Sequence, residues 1–217
     1  MIARIVCLVI GYAFGLIQTS YLLGKYKGLD IRDAGSGNAG TTNALRTLGL
    51  KAGVITFFGD ILKCIAAVIV TWLIFHRTHA DIVPLLKIWT SAGVTLGHIF
   101  PFYMNFKGGK GIAAMGGMMF AFGDIRFIIL QLVIFFGLFF LTHMVSVASM
   151  VLIISWMIIM AIGNILGSFG MLPPQRVEMF VIILCLTALG IFLHRENLLR
   201  LLQGNERKTY LTKKSDQ

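Results

Sequence analysis

Charged side chains are scarce in this chain of 217 residues, at 13% of the total, against roughly a quarter in an ordinary soluble domain. That shortage excludes a water-soluble fold of the usual kind. With 57% hydrophobic residues and a mean hydropathy of +0.85, the composition describes one domain dissolved in a bilayer. Cysteine is nearly absent. Cys7, Cys64 and Cys185 each lie in an apolar run with no C-x-x-C or Cys/His spacing, so they read as small buried hydrophobes, not as disulfide or metal sites. The nine acidic residues form no cluster of the kind that holds Mg²⁺, and there is no H-E-x-x-H, which argues against metal-assisted hydrolysis and nucleotide chemistry. No G-x-S-x-G elbow or Ser/His/Asp order supports a covalent acyl-enzyme.

What the chain has in quantity is apolar runs. A hydrocarbon core about 30 Å thick needs about 20 such residues in a helix. Seven segments are candidates: Ile2–Leu23, Gly53–Phe75, Ile82–Tyr103, Gly111–Gly123, Ile125–Leu141, Val145–Phe169 and Val177–Leu193. The fourth is short for a crossing. The first has one early arginine and no small-residue cleavage site, so it reads as an uncleaved transmembrane helix. The expected fold class is an all-α polytopic integral membrane protein, a seven-helix transmembrane bundle forming a single domain over residues 1–217.

The net charge of +10 would suggest nucleic acid in a soluble protein, but here its location decides the reading. Thirteen of the 19 basic residues fall on one side of a seven-span bundle. These are Lys25, Lys27, Arg32, Arg46, Lys51, Lys107, Lys110 and six in the tail (Arg195, Arg200, Arg207, Lys208, Lys213, Lys214). Four (Arg4, Arg77, Arg126, Arg176) fall on the other, and Lys63 and Lys87 lie within spans. The positive-inside rule then predicts an outside N-terminus and a cytoplasmic C-terminus. No nucleic-acid partner is implied.

The same count brings three unusual segments, 30–51, 97–111 and 194–208, to the cytoplasmic face. The turn between Thr142 and Ser146 opens there too, with Ser146 and Ser149. In the first segment GSGNAG spells the dinucleotide fingerprint G-x-G-x-x-G. A βαβ unit should surround that motif, whereas a membrane helix precedes it here. Asp60, at the spacing of a ribose-binding acid, lies in the next apolar helix three residues before Lys63 and should pair with it. What survives is local physics: glycines that turn the backbone and admit a ligand, neutral donors on Ser36, Asn38, Thr41, Thr42 and Asn43, and a planar cation on Arg46.

The second segment contains FKGGKG, which is not a Walker A loop: Met104 and Gly111 stand where that motif needs Gly and Ser or Thr. Lys107 and Lys110 around a diglycine at a helix start still suggest an anion site, with His98 above it. In the third segment His194 and Asn197, one turn apart, share a helix face and Glu196 points elsewhere. A helix end dressed with cations for the macrodipole explains the Arg and Lys here, but not His-x-x-Asn. The pairs Gly11/Gly15, Gly93/Gly97 and Gly163/Gly167 have the small-xxx-small spacing of close helix packing. From the residues alone the chain reads as a membrane protein that binds phosphorylated ligands at one surface. A transporter for organic phosphates stays open, though no second copy of any loop suggests an inverted repeat.

GSGNAGTTNALRTLG, GHIFPFYMNFKGGKGIA and HRENLLRLLQGNERK, in this order and spacing, resemble the three signature segments of the PlsY family, bacterial acyl-phosphate:glycerol-3-phosphate acyltransferases. The resemblance covers essentially the whole chain; Ala39 stands where the family usually has Pro. It implies acyl transfer from acyl phosphate to the sn-1 hydroxyl of glycerol 3-phosphate at the cytoplasmic face of a bacterial inner membrane, with no cofactor, metal, coenzyme A or acyl carrier protein. It further implies catalytic roles for Ser36, Arg46, His194 and Asn197. Substrate contacts are implied for Gly35, Gly37, Asn38, Gly40, Thr41, Asn43, His98, Lys107, Gly108, Gly109, Lys110, Ser146 and Glu206.

Overall fold

A computed structural model describes residues 1–122 and 125–210. Gly123, the expected end of the fourth span, and the tail lysines Lys213 and Lys214 lie outside the described residues. All regular structure among the described residues is helical. In chain order the helices are α1 (Ile2–Gly15), α2 (Thr19–Tyr26), α3 (Thr41–Leu48), α4 (Leu50–Phe75), α5 (Val83–Ile99), α6 (Ile112–Phe122), α7 (Ile125–Thr142), α8 (Val145–Ile165), α9 (Pro173–Leu193) and α10 (Arg195–Leu202). Six segments are long and apolar enough to cross a membrane, counting α1 with α2 and α5 with its flanking 3₁₀ turns. The shorter α6, at 11 residues, rises only about 16 Å.

The sequence predicts one helix over Ile2–Leu23; the structure breaks it between α1 and α2. The break is chemical. Gln18, fully buried, donates from Nε2 to the carbonyls of Gly15 (3.3 Å) and His98 (2.9 Å), and the Lys63 ammonium donates to Ile17 O at 2.7 Å. Side chains thus take the carbonyls that a continuing helix would have paired. At the other margins, α9 starts four residues before the predicted Val177, on Pro173 and Pro174, which favour a first helical turn. The predicted sixth span runs to Phe169, but α8 stops at Ile165. There Gly167 takes φ +72°, with Ser168 N bonded to Gly163 O and Gly167 N to Asn164 O, the two bonds of a Schellman ending. Gly163 and Gly167 therefore end a helix and do not pack one against another.

The other two glycine pairs do pack. Gly11 and Gly15 on α1 face Gly93 and Gly97 on α5, so close that a Cβ on any of the four would strike the opposite backbone. This contact sets α5 in the middle of the bundle, the most enclosed of its long helices. α5 carries Thr90, Ser91 and Thr95 into that core because each hydroxyl donates to the carbonyl four residues earlier. One end of the bundle is closed by Glu178, which accepts from Arg4 at 2.5 and 2.8 Å and from Trp89 at 2.7 Å. Cys7 and Cys64 are buried as expected; Cys185 is exposed on the apolar surface of α9. Its run is apolar because that face is dissolved in lipid, not because it is in the core.

Gly93→Val should separate α1 from α5. Overpacking against backbone, which cannot repack, is expected to cost about 3 kcal/mol or more, seen as a lower thermal midpoint in detergent. The same substitution at Gly137, where a Cβ meets nothing, should leave the midpoint within a degree or two of the parent.

Candidate active site

At the end opposite Glu178 the three signature segments fold around one cavity of about 670 Å³. Four helices begin at its wall: α3 with Thr41 and Thr42, α6 with Ile112, α8 with Val145 and Ser146, and α10 with Asn197. Helix N-termini carry unpaired N–H groups and the positive end of the macrodipole, so their convergence favours an anion.

The first segment turns tightly before α3. Gly35 adopts φ +63°, and a Cβ there would collide with Oδ1 of Asn43. Asn43 is buried and fully engaged: it accepts from Ser36 N (2.8 Å) and donates to Ile31 O and Ala34 O (both 2.9 Å). Its amide is thereby spent on holding the loop. Gly35 itself does not line the cavity, whereas Ser36, Gly37, Asn38, Gly40, Thr41 and Arg46 do. The Thr41 hydroxyl is buried with no partner among the described residues.

The second segment is pinned by α5. Gly108 N and Gly109 N donate to Ile99 O and His98 O at 3.0 and 3.1 Å, and a Cβ on Gly109 would overlap the His98 ring and the carbonyl of Ala39. Beneath it, Lys63 pairs with Asp60 at 2.8 Å and with Nδ1 of His98 at 2.8 Å. The i, i+3 pair predicted from sequence is present and has recruited the histidine. Lys110 reaches across to donate to Oδ1 of Asn197. Lys107 is exposed at the cavity's edge.

The third segment closes the site through Glu206. Its carboxylate accepts from Ser146 Oγ (2.8 Å), Asn197 Nδ2 (2.7 Å) and Arg200 Nε (3.0 Å). Beyond it, Thr209 N donates to His143 O at 2.8 Å, and the Arg46 guanidinium donates to Thr209 Oγ1 at 2.5 Å, tying the tail to the first segment. Burial pushes Glu206 up, but its hydrogen bonds from Asn197, Ser146 and Arg200 outweigh that and hold it below the usual carboxylate range.

Electrostatics point to an anionic ligand. Burial, then the charge of Arg200, lowers Lys110 to about 8. Burial, then Arg207, also lowers Arg46. Cations that destabilise one another in a cavity are stabilised by a phosphate. His194 is lowered to about 4, by burial first and Lys110 second, so its imidazole is neutral at physiological pH. Its Nδ1 lies 2.7 Å from Gly190 O and must donate to that carbonyl, which leaves Nε2 as an acceptor. Among the described residues, no group of three or more His, Cys, Asp or Glu is gathered as metal ligands would be.

Of the residues proposed from sequence, all but Gly35 line this cavity. Sequence reasoning passed over Arg200, although it follows Asn197 by three residues on the same helix face. It also passed over Arg207, and over Gln131, the one amide in the apolar run of α7. Glu196, expected to point elsewhere, sits exposed on the rim. The cavity does not end at the polar groups. It continues as an apolar groove between α6 (Gly116, Met119, Phe120) and α7 (Leu132, Phe135, Phe136), floored by Leu152 of α8.

Fold and site together define a multi-pass membrane protein with a cationic cavity that opens into a lipid-facing groove. Residues 5–204 match the family model described as glycerol-3-phosphate acyltransferase. The glycerol-3-phosphate acyltransferase of Bacillus subtilis (strain 168) is 37% identical, over 93% of this chain and 95% of its own. That of Clostridioides difficile (strain 630) is 37% identical over 94% of each. The crystal structure of PlsY (YgiH), an integral membrane glycerol 3-phosphate acyltransferase, superposes in its glycerol 3-phosphate form with a TM-score of 0.80 at 31% identity, covering 95% of this chain and 96% of that one. Its lysophosphatidic acid form gives a TM-score of 0.77 at 30% identity, covering 96% of each. The chain belongs to the PlsY family of glycerol-3-phosphate acyltransferases.

Glu206→Ala should leave Arg200 unpaired and free Ser146 and Asn197 from their common acceptor. A loss of about 3 kcal/mol is expected, read as a lower thermal midpoint in detergent. In the parent, the contribution of this depressed carboxylate is present above the usual carboxylate range and disappears as pH falls through it. An Ala variant with the parent's midpoint and acid sensitivity would show that the carboxylate is not structural.

Proposed function

We propose that this chain transfers a fatty acyl group from acyl phosphate to the sn-1 hydroxyl of glycerol 3-phosphate, giving lysophosphatidic acid and orthophosphate in the first acylation of phospholipid synthesis. The observation that carries the reading is one continuous cavity with phosphate-binding chemistry at one end and an apolar groove at the other. An acyl phosphate has those same two ends. Its chain enters sideways from the bilayer, and the polyol phosphate comes from the cytoplasm. The basic end then faces the cytoplasm of a bacterial inner membrane, in a seven-segment bundle with α6 as the short fourth segment and the N-terminus outside. No coenzyme A, carrier protein, metal or other cofactor takes part.

The reaction forms a bond from the sn-1 oxygen to the acyl carbon and breaks the bond from that carbon to the bridging oxygen, which leaves with phosphate. A mixed anhydride is already activated, so the protein positions the two substrates and stabilises charge. Arg46, Lys107 and Lys110 hold the two phosphates and offset charge on the leaving group. Ser36, Asn38 and the Thr41 hydroxyl orient the acyl phosphate, on loops whose Gly37, Gly40, Gly108 and Gly109 N–H groups are bonded to carbonyls of the protein itself. Asn197, drawn into place by Glu206 and Lys110, contacts the glycerol backbone, and His98 lines the wall beneath Gly109. The attacking hydroxyl's proton goes to a phosphate oxygen of the substrate, which titrates at about 6 and so matches neutral pH better than His194 at about 4. His194 accepts a hydrogen bond through Nε2 and aligns the hydroxyl.

Purified protein in detergent, given palmitoyl phosphate and glycerol 3-phosphate without coenzyme A or added metal, should form lysophosphatidic acid and orthophosphate in equal amounts. Turnover only with acyl-coenzyme A or an acyl carrier protein would contradict the assigned donor. Lys110→Ala and Arg46→Ala should each lower kcat/KM for glycerol 3-phosphate by roughly ten- to a hundredfold, the worth of one charged hydrogen bond. Lys110 is charged below about pH 8 and neutral above it. The parent's KM should therefore climb above that pH, while Lys110→Arg, which keeps its charge, stays flat. His194→Gln should slow turnover without changing the shape of the pH–rate profile between pH 6 and 8. A profile that lost an ionisation in that range would identify His194 as the base.

A further inference from the structure

The groove between α6 and α7 is apolar except for Gln131, whose side chain is 2% exposed and lines the cavity wall. Its Oε1 accepts from Ser155 Oγ of α8 at 2.9 Å, while its Nε2 is buried with no partner among the described residues. Turning the amide over would exchange the two atoms and still leave one without a partner. Gln131 stands eleven residues from the polar end of α7 at Thr142, a depth of about 16 Å. Of the α7 residues that line the cavity only Ile128, three residues further along, lies deeper, and Gln131 is the one polar side chain among them.

An unpaired amide in a protein wall is costly when nothing can hydrate it, and nearly free when a water can reach it. We infer that Gln131 sets an upper limit on acyl-chain length, a specificity role that rests on the acyl-phosphate reading above. A chain whose end stops short of Gln131 leaves space for a water on the free N–H. A longer chain displaces that water and lays methylenes against an unsatisfied donor. Ser155 holds the amide in the wall, so it cannot swing clear. Replacing one buried amide by an apolar group of similar volume removes the penalty without a new one.

The test is competition between saturated acyl phosphates of increasing length, with glycerol 3-phosphate as acceptor, for the parent, Gln131→Leu and Gln131→Met. In the parent, kcat/KM should fall about tenfold, the penalty for one unpaired buried amide, at chains whose extended length exceeds about 16 Å. In both variants that fall should vanish, with shorter chains unaffected. Ser155→Ala, which leaves both ends of the amide without a partner, should steepen it. A parent profile with no fall at that length, or variants that keep the fall, would overturn the inference while leaving the acyl transfer intact. Absence of transfer from every acyl phosphate in the parent would overturn the donor assignment itself.

Discussion

Glu206 is one of nine carboxylates in the chain, and the working end of the molecule is assembled on it. Ser146 at the start of α8, Asn197 and Arg200 on α10 and, through Asn197, Lys110 before α6 converge on its two oxygens. Together they bring in three stretches of chain: α8, α10 and the segment before α6. Without that acceptor the cations around the cavity would repel one another, with the exposed Glu196 on the rim as the nearest remaining counter-charge to Lys110. The group that organises the cation cluster is therefore an anion already saturated by protein, which leaves the remaining positive charge for a ligand.

The bilayer explains why all this lies at one end. Backbone and charged groups cannot go unpaired in hydrocarbon, so irregular structure is pushed to the surface or satisfied internally. Both solutions occur here. The glycine-rich segments gather at the basic end. The buried Lys63 is matched by Asp60, His98 and the open carbonyls that end α1. That polar knot sits directly beneath Gly109 and stiffens the floor of the cationic cavity. The same end is where α3, α6, α8 and α10 all begin, so helix dipoles and side-chain cations act together. The groove between α6 and α7 completes the arrangement by joining the cationic cavity to the lipid phase.

Much of this could be read from residues alone. Apolar runs gave the long helices to within a few positions, the Gly-x-x-x-Gly pairs of α1 and α5 gave their contact, and three loops too polar for linkers gave the walls of one cavity. The errors have common causes. Hydropathy does not see a helix broken by side chains that take its carbonyls, so the turn at Gln18 was missed. Spacing alone does not separate a packing glycine from a Schellman glycine, as Gly163 and Gly167 show. A motif does not tell a turn-forming residue from a lining one either: Gly35 shapes the turn outside the cavity, while Asn43 lines it with its amide engaged by the loop. Arg200 and Gln131 had visible signals, a shared helix face and a lone amide in an apolar run. They were passed over because their importance depends on what stands opposite in space.

The central claim is that the two substrates meet head to head in one cavity and that the acyl carbon is the atom attacked. Heavy-oxygen labelling tests it directly. Acyl phosphate carrying the label in its bridging oxygen should, after turnover with glycerol 3-phosphate, release all of it in orthophosphate and none in any acyl product. Label recovered in free fatty acid would mean that the phosphorus–oxygen bond had broken instead, and would contradict the account.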